Sequence, residues 1–280
     1  MVCIFRCRPQ DSVTCHHLSL LGLVLGLGPR ALGLPGLWPY GLRPWGHSSD
    51  TSHRETLRHL TGVGLHVAGL WRYPVKTLAG EPLSTAVIGP DGIAGDRIVR
   101  VRGPEGVRTS RRQYRLLGLR GTLDADGSPR VNGHAWNSPE ALALVKKAAG
   151  DDAWLEAWSE RDRFDILPLL VATDGAVAAF GRDVRRLRPN ILIGGVEGLS
   201  ERDWPGAELH IGNAIVRIDS LRGRCHMTTV DPDTLEVDAG VLRDIVKRFG
   251  NRLALNADVV RPGTVRVGDP VTLAVAALSR

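Results

Sequence analysis

The residue of this sequence best suited to do chemistry is Cys225, which follows Arg224 and has Arg222 three positions before it. Cationic neighbours lower the pKa of a thiol, and the thiolate is the form of cysteine that attacks electrophiles or binds metals. A buried cysteine that only fills core space is equally compatible with these residues. The adjacent His226 is a poor dyad partner, because neighbouring residues of a strand point to opposite faces. Cys225 is therefore a candidate nucleophile or metal ligand.

Short clusters of arginine lie beside hydroxyl and amide side chains elsewhere in the chain. Thr109-Ser110-Arg111-Arg112 offers two hydroxyls and two guanidinium groups, and the planar fork of arginine matches phosphate geometry. Arg188-Pro189-Asn190 precedes an apolar run, and the Asn190 amide can both donate to and accept from a heterocycle. A solvated strand end and a simple turn explain the two patterns equally well. Short clusters of this kind favour a phosphate pocket over a nucleic-acid tail.

Two further cations stand at predicted turns. Lys76, in Tyr73-Pro74-Val75-Lys76-Thr77, ends the first predicted strand and could present a charge to an anion. Arg97 follows Gly95 and Asp96 at a tight turn into a strand. Taken alone, Lys76 reads better as a solvated loop residue, and Asp96-Arg97 as a surface ion pair that contributes little to stability.

Composition places the chain among soluble globular proteins. Its 280 residues suffice for one large domain or two small ones, with 43% hydrophobic and 24% charged residues. The formal net charge of +6 favours an anionic partner: a nucleic acid, a phosphate-bearing cofactor or a membrane surface. Three of the four cysteines lie within residues 3–15. The single remaining thiol excludes a disulfide framework in the body and indicates a reducing compartment, the cytoplasm.

Several familiar catalytic patterns are absent from the sequence. It has no G-x-G-x-x-G or Walker loop, no G-x-S-x-G elbow and no H-E-x-x-H. The cysteines and histidines of residues 3–17 match no structural zinc spacing. The acidic turn at 231–234 lacks further ligands for a cation. Cys225 and the basic clusters remain as the candidates.

The elements that must position these residues are mostly short strands. Runs of Val, Ile, Leu and Thr, separated by Gly and Pro, predict strands at 84–88, 98–102, 116–123, 191–193, 208–211, 214–220 and 271–275. Helices are predicted at 139–149, with Ser138 as its cap, at 174–181, with Asp174 as its cap, and at 239–249, with residues 241, 242, 245, 246 and 249 on one face. Residues 1–62 read as a disordered or non-native extension, and residues 151–163 as a seam between two β units.

The order of the motifs resembles one family. The motifs are Tyr73-Pro74-Val75-Lys76, Gly95-Asp96-Arg97, Thr109-Ser110-Arg111, Leu187-Arg188-Pro189-Asn190-Ile191, Arg224-Cys225, Thr228-Thr229-Val230-Asp231-Pro232-Asp233-Thr234 and Gly263-Thr264-Val265-Arg266-Val267-Gly268-Asp269-Pro270-Val271. The set resembles MOSC-domain proteins with an N-terminal β-barrel partner domain, above all the amidoxime-reducing component family of molybdenum enzymes. The resemblance covers about residues 67–275.

The resemblance implies a fold that is mostly β with a few helices, built as two β-barrel-like units. Residues 63–150 are then the MOSC N-terminal β-barrel domain and residues 151–280 the MOSC domain, after the extension of residues 1–62.

The resemblance also implies a molybdenum cofactor, a pterin dithiolene that bears a phosphate and holds an oxo-molybdenum centre. Cys225 is then the thiolate ligand to molybdenum, as suits a soft ligand. Arg97 and Arg224 are expected to meet anionic groups, and Asn190 the pterin edge. The full set of implied cofactor-binding residues is Lys76, Thr77, Arg97, Thr109, Arg111, Thr173, Arg188, Asn190 and Arg224.

The chain departs from the family pattern at three places. Thr77 occupies a position where Ser is commoner in the family. Arg112 occupies the position directly after Thr-x-Arg, where the relatives usually have Gln. Gly223 occupies the position before Arg-Cys, where Ser is often found. These differences bear on substrate preference more than on cofactor binding. No cysteine cluster for an iron–sulfur centre follows, so separate electron-donor proteins are expected.

The implied activity is reduction of a small N-oxygenated substrate, from N–OH to N–H with loss of water. The alternative is a non-enzymatic carrier of the cofactor or of sulfur, with a persulfide on Cys225. Nucleic-acid binding is disfavoured because the β segments have few Phe or Tyr residues for base stacking. No membrane span is expected, since the apolar run at 18–28 is too short.

Overall fold

The computed structural model describes residues 57–60 and 64–276. Most of the extension expected at residues 1–62, with its cysteines and histidines, therefore lies outside the described residues. The four residues of it that are described form a strand, Leu57–Leu60, which pairs antiparallel with the last strand of the chain. In the part of the chain that the structure describes, no helix is long and apolar enough to span a membrane.

Strands dominate the described residues, which confirms the mostly β class with a few helices. The α-helices are α1 (Pro139–Ala149), α2 (Asp174–Phe180) and α3 (Ala239–Phe249). The strands are β1 (Leu57–Leu60), β2 (His66–Arg72), β3 (Glu81–Leu83), β4 (Thr85–Gly89), β5 (Gly92–Ile93), β6 (Val99–Gly103), β7 (Gly106–Val107), β8 (Gly121–Leu123), β9 (Pro129–Val131), β10 (His134–Ala135), β11 (Trp154–Ala157), β12 (Leu169–Thr173), β13 (Ile191–Gly194), β14 (Glu208–Ile211), β15 (Ala214–Gly223), β16 (Arg252–Arg261), β17 (Gly263–Arg266) and β18 (Val271–Ala276).

The largest sheet has nine strands in the order β1-β18-β14-β15-β16-β12-β13-β2-β3. Its neighbours pair antiparallel, except for the parallel pair β12–β13. Three smaller sheets of three strands each complete the described β structure. The strands β2 and β3 belong to the large sheet although they precede residue 150. The proposed domain boundary between residues 150 and 151 stays a prediction.

Two of the predicted elements differ from the structure. The strand expected at 116–123 is wrong in its first half, because Tyr114–Gly118 forms a 3-10 helix and only Gly121–Leu123 is a strand. A short apolar run does not distinguish a buried strand from a buried helical turn. In α3, Val246 is 52% exposed rather than part of the buried face, which consists of Val241, Ile245 and Phe249.

Four apolar clusters hold the sheets and helices of the described residues together, and three of them anchor the residues beside the site. Ile191 belongs to the cluster on the nine-stranded sheet, and Leu187 to the cluster under α2 and α3. Arg188 therefore lies on a short link between two buried anchors. Val75, in the third cluster, is fully buried and holds the start of the segment that carries Lys76 in the same way.

Candidate functional site

Cys225 lies two residues beyond the end of β15, at the start of a 3-10 turn formed by His226–Thr229. Its carbonyl oxygen accepts hydrogen bonds from the backbone N–H of Thr228 at 3.1 Å and from the Thr228 hydroxyl at 2.9 Å. These two bonds fix the backbone on which the thiol stands. The thiol itself is free and partly exposed, and it lines a cavity of about 340 Å³.

Cations dominate the wall of this cavity, which is called the cationic pocket below. Asp165 is the acidic residue among those that line it, and Thr77 and Thr109 contribute hydroxyl side chains. The cations of the wall are Lys76, Arg97, Arg111, Arg186, Arg188, Arg222 and Arg224. Seven cations against one carboxylate make the cavity a place where an anion is stabilised.

Arg97 is held at the wall by a buried carboxylate. Asp96 is 0% exposed and forms an ion pair with Arg97. It also accepts the backbone N–H of Tyr73 at 2.7 Å and the side-chain amide of Asn190 at 3.2 Å. The interpretation of Asp96-Arg97 as a surface ion pair is therefore wrong, because the carboxylate is enclosed by the end of β2 and the turn before β13. Burial with three donors fixes the direction of the Arg97 side chain.

Three residues of the pocket wall have left-handed backbone. The φ angles are 89° at Thr77, 54° at Arg97 and 56° at Arg188. Non-glycine residues rarely adopt this region, and a β-branched residue such as Thr is a clear outlier there. Backbone strain of this kind persists where the surrounding structure enforces it, and it clusters at binding and catalytic sites.

Arg188 and Arg224 carry charges that no carboxylate within the described residues balances directly. Arg188 donates to the carbonyl of Leu78 at 2.7 Å and stacks on the Tyr73 ring at 4.3 Å. Arg224 donates to the carbonyl of Leu187 at 2.8 Å, while its buried Nε has no partner among the described residues. Loss of hydration lowers the pKa of both guanidinium groups, that of Arg224 to about 10. Both side chains keep their charge at neutral pH, because arginine does not deprotonate in proteins.

Asp165 brings a carboxylate into contact with three cations of the pocket. Its Oδ1 lies 2.9 Å from Lys76 Nζ, and its Oδ2 lies 3.2 Å from Arg111 and 3.3 Å from Arg222. Desolvation alone raises the pKa of this carboxyl, but Lys76 and then the two arginines bring it below its ordinary value. Asp165 is therefore ionised at neutral pH.

The structure brings most of the predicted site residues together. Eight of the ten line the cationic pocket: Lys76, Thr77, Arg97, Thr109, Arg111, Arg188, Arg224 and Cys225. They come from five separate chain segments, which follow β2, β7 and β15 and precede β6 and β13. Of the two hydroxyls expected next to Arg111, only that of Thr109 belongs to the wall. Ser110 is buried, and its hydroxyl donates to the carbonyl of Thr77 at 3.1 Å.

Thr173 and Asn190 do not line the pocket. Both are 0% exposed. Thr173 caps α2 by accepting the Ala176 N–H at 3.2 Å, and it lies 3.3 Å from a carboxylate oxygen of Glu201. The helix cap expected at Asp174 is therefore wrong by one residue, because Asp174 instead accepts the N–H groups of residues 195 and 196. The Asn190 amide accepts the Leu170 N–H at 3.1 Å and donates to Asp96, so its hydrogen bonds are made inside the protein.

Sequence reasoning missed three charged residues of the wall: Asp165, Arg186 and Arg222. Arg222 could have been predicted from the sequence. It lies two positions before Arg224, which was a candidate, and residues two apart on an extended segment lie on the same face. Arg186 belongs to a cluster of four arginines at positions 182, 185, 186 and 188, and residue type alone does not show which of them reach the cavity. Asp165 is a single acidic residue in a loop and carries no sequence pattern.

A second cavity, of about 330 Å³, adjoins the cationic pocket. The two cavities share Arg186, Arg188 and Met227 as lining residues. The rest of its wall is largely apolar and includes Trp71, Tyr73, Pro82, Leu117, Val230 and Pro232. An apolar compartment beside a charged one is a common arrangement in sites that bind small molecules.

Comparison with known proteins shows which proteins this chain is similar to. A family model described as the MOSC domain matches residues 170–272. Mitochondrial amidoxime-reducing component 1 of Homo sapiens is 25% identical over an alignment of 323 positions, which covers 88% of this chain and 93% of that protein. Molybdenum cofactor sulfurase of Bombyx mori is 33% identical over 88 residues, 31% of this chain and 10% of that protein.

A solved structure, that of the YUAD protein from Bacillus subtilis, superimposes with a TM-score of 0.45 at 12% identity over 79% of this chain and 99% of that one. Residues 170–272 thus match the MOSC domain, and the chain resembles the mitochondrial amidoxime-reducing components over most of its length.

Proposed function

We propose that this protein is a molybdenum-cofactor oxidoreductase that reduces small N-oxygenated compounds, with Cys225 as the protein ligand to molybdenum. The observation that carries the proposal is a free thiol on the wall of a pocket with seven cations and one carboxylate. Relatives named amidoxime-reducing component and molybdenum cofactor sulfurase supply the chemical identity of the anionic ligand.

The residues present fit a phosphate-bearing cofactor. Arg188 and Arg224 lack a carboxylate partner among the described residues, and the buried Nε of Arg224 is a donor without an acceptor. Buried donors of this kind are costly unless a ligand satisfies them. Lys76, Arg97, Arg111, Thr77 and Thr109 complete the set of groups that would hold the cofactor.

The thiol is suited to the metal. Soft thiolate ligands suit soft metal centres, and coordination deprotonates the thiol. When bound, the cofactor supplies the two-electron redox chemistry, while the protein contributes binding, orientation and charge. The Cys225 backbone, held by two hydrogen bonds from Thr228, gives the sulfur a fixed position.

The apolar cavity favours an enzyme over a pure carrier, because it offers room for a substrate beside the cationic pocket. Its wall of Trp71, Leu117, Met227 and Val230 suits the apolar body of a small molecule. The net reaction converts N–OH to N–H and releases water, and it consumes two electrons and two protons. Separate electron-donor proteins are expected to supply the electrons.

The alternative is a non-enzymatic carrier of the cofactor or of sulfur. The local similarity to a molybdenum cofactor sulfurase and the partial exposure of the Cys225 thiol favour it, since a carrier must hand its cargo to a partner.

Metal analysis of the full chain produced in a host that makes molybdenum cofactor tests the proposal. We expect molybdenum in the wild type and its loss in Cys225→Ala, while Cys15→Ala, a matched substitution outside the described residues, retains the metal. Wild-type protein without molybdenum contradicts both the enzyme and the cofactor carrier. With metal present, reduction of benzamidoxime with a chemical electron donor supports the enzyme, and absence of turnover with every N-hydroxylated compound tested supports the carrier.

A further inference from the structure

Asp165 stands out among the residues of the cationic pocket because it already occupies the place of an anion. Its two carboxylate oxygens contact Lys76, Arg111 and Arg222 at 2.9–3.3 Å. A carboxylate and a phosphate oxygen compete for the same donors of lysine and arginine. A ligand phosphate that approaches these three cations therefore meets a negative charge of the protein.

We propose that Asp165 is an internal counter-anion of the cationic pocket, which a phosphate group of the ligand displaces from Lys76, Arg111 and Arg222. The proposal rests on the anion-binding pocket of the proposed function and adds the residue that sets its affinity. It distinguishes two groups of cations: those that Asp165 neutralises until a ligand binds, and Arg188 and Arg224, which stay available throughout.

The surroundings of Asp165 suit displacement. Residues 164–168, which carry it, form neither helix nor strand and link a 3-10 turn at Arg161–Arg163 to β12. Phe164 is buried, and both Arg97 and Arg163 stack on its ring, so one side of Asp165 is anchored. Ile166 on the other side is 55% exposed. The Asp165 side chain is 39% exposed, so its carboxylate can return to water at small cost.

Two of the three cations keep other contacts when the carboxylate leaves. Lys76 Nζ also donates to the carbonyl of Arg163 at 2.7 Å and lies 5.4 Å from the centre of the Trp158 ring. The Arg222 guanidinium also donates to the side-chain oxygen of Asn256 at 3.1 Å. Lys76 and Arg222 are thus positioned without Asp165, and its carboxylate chiefly offsets their charge.

The test is calorimetric titration of the full chain, without loaded cofactor, with inorganic phosphate as the probe. Removal of one negative charge beside the ligand is expected to tighten phosphate binding by Asp165→Asn roughly tenfold. Asp244→Asn is the matched control, because Asp244 is a partly exposed aspartate that pairs with Arg248 at 2.8 Å on α3 and lies outside the pocket lining. The control is expected to bind phosphate as the wild type does.

Hydrogen–deuterium exchange supplies a second readout. Displacement predicts faster amide exchange in residues 164–168 of the wild type when phosphate is added, and no such increase in Asp165→Asn. If Asp165→Asn and Asp165→Ala bind phosphate as weakly as the wild type or more weakly while their unfolding transitions are unchanged, Asp165 positions the cations and the proposal is wrong.

The outcomes separate this proposal from the one on which it rests. Arg188→Gln is expected to weaken phosphate binding in the wild-type and in the Asp165→Asn background. If Arg188→Gln has no effect, or if no variant binds phosphate, the anion pocket itself is contradicted and the counter-anion with it. If Arg188→Gln weakens binding and Asp165→Asn does not tighten it, only the counter-anion is contradicted.

Discussion

At the scale of single residues, the site depends on the buried groups that position its cationic side chains. Arg97 is aimed at the pocket by the buried carboxylate of Asp96, which also binds the Tyr73 N–H and the Asn190 amide. Asn190 thus acts on the wall through Asp96, although it does not line the pocket. Residue type alone does not distinguish such a supporting residue from one that lines the cavity.

Asp96→Asn is expected to be strongly destabilising. The substitution removes the charge that balances Arg97, and loss of one partner of a buried ion pair costs about 3 kcal/mol. Chemical denaturation measures the free energy of unfolding of the variant and of Asp244→Asn, which removes an exposed i,i+4 pair and is expected to cost no more than about 0.5 kcal/mol. Equal losses in the two variants would show that the Asp96 contacts contribute nothing special.

At the scale of elements, the ends of strands and the first turns of helices decide which side chains reach the pocket. β15 ends at Gly223, so that Arg222, Arg224 and Cys225 follow one another at the pocket wall. β12 instead runs directly into α2, and the Thr173 side chain caps this helix by accepting the Ala176 N–H. Polar side chains at the end of β15 thus line the cavity, whereas the hydroxyl at the end of β12 binds backbone.

Thr173→Ala tests the assignment of Thr173 as a cap. Loss of the side-chain acceptor for the Ala176 N–H is expected to lower the free energy of unfolding by about 1–2 kcal/mol, with phosphate binding unchanged. Thr173→Ser keeps the hydroxyl and is expected to stay close to the wild type in both measurements. If Thr173→Ala loses phosphate binding without a loss of stability, Thr173 binds the anion and its assignment as a cap alone is wrong.

Gly223 departs from the family pattern, and the structure does not require a glycine at this position. A Cβ added there meets no atom within 4 Å, so Gly223→Ser is expected to change the free energy of unfolding by less than about 0.5 kcal/mol. Gly175 in α2 is the matched comparison, because a Cβ there lies 2.4 Å from the backbone oxygens of Val196 and Gly198. Gly175→Ser is expected to cost about 2 kcal/mol or more. Thermal unfolding of both variants checks the contrast, and a destabilised Gly223→Ser contradicts it.

At the scale of the whole molecule, the nine-stranded sheet brings distant segments to one place. β2 pairs with β13, β13 with β12, and β15 with β16, so the segments that follow β2 and β15 and those beside β12 and β13 meet around one cavity. The contacts of Lys76 with Asp165 and of Tyr73 with Pro189 span 89 and 116 positions of the chain. No local pattern contains contacts of this range.

The family match over residues 170–272 leaves part of the pocket outside it. Lys76, Thr77, Arg97, Thr109 and Arg111 all precede residue 170, yet they line the same cavity as Cys225. The pocket is therefore shared between the MOSC-domain match and the preceding part of the chain. A truncated MOSC segment lacks these cations of the wall.

By itself, the sequence determined the mostly β class, the three helices and eight residues of the pocket wall. It did so because residue type, short periodicity and the order of motifs are local properties of the chain. The N-terminal cap of α1 followed from Ser138 for the same reason. The choice of Cys225 also depended on it being the one thiol beyond residue 15.

Only the tertiary structure decided which polar side chains face the cavity and which are used inside the protein. Thr173 and Asn190 were excluded from the wall because buried donors and acceptors must find partners, and theirs lie in other segments. Asp165 entered the site because the large sheet sets its loop against Lys76 and Arg222. Positive charge around Cys225 could be expected from its neighbours Arg222 and Arg224 in the sequence. The Asp165 carboxylate, which offsets part of this charge, is brought there only by the fold.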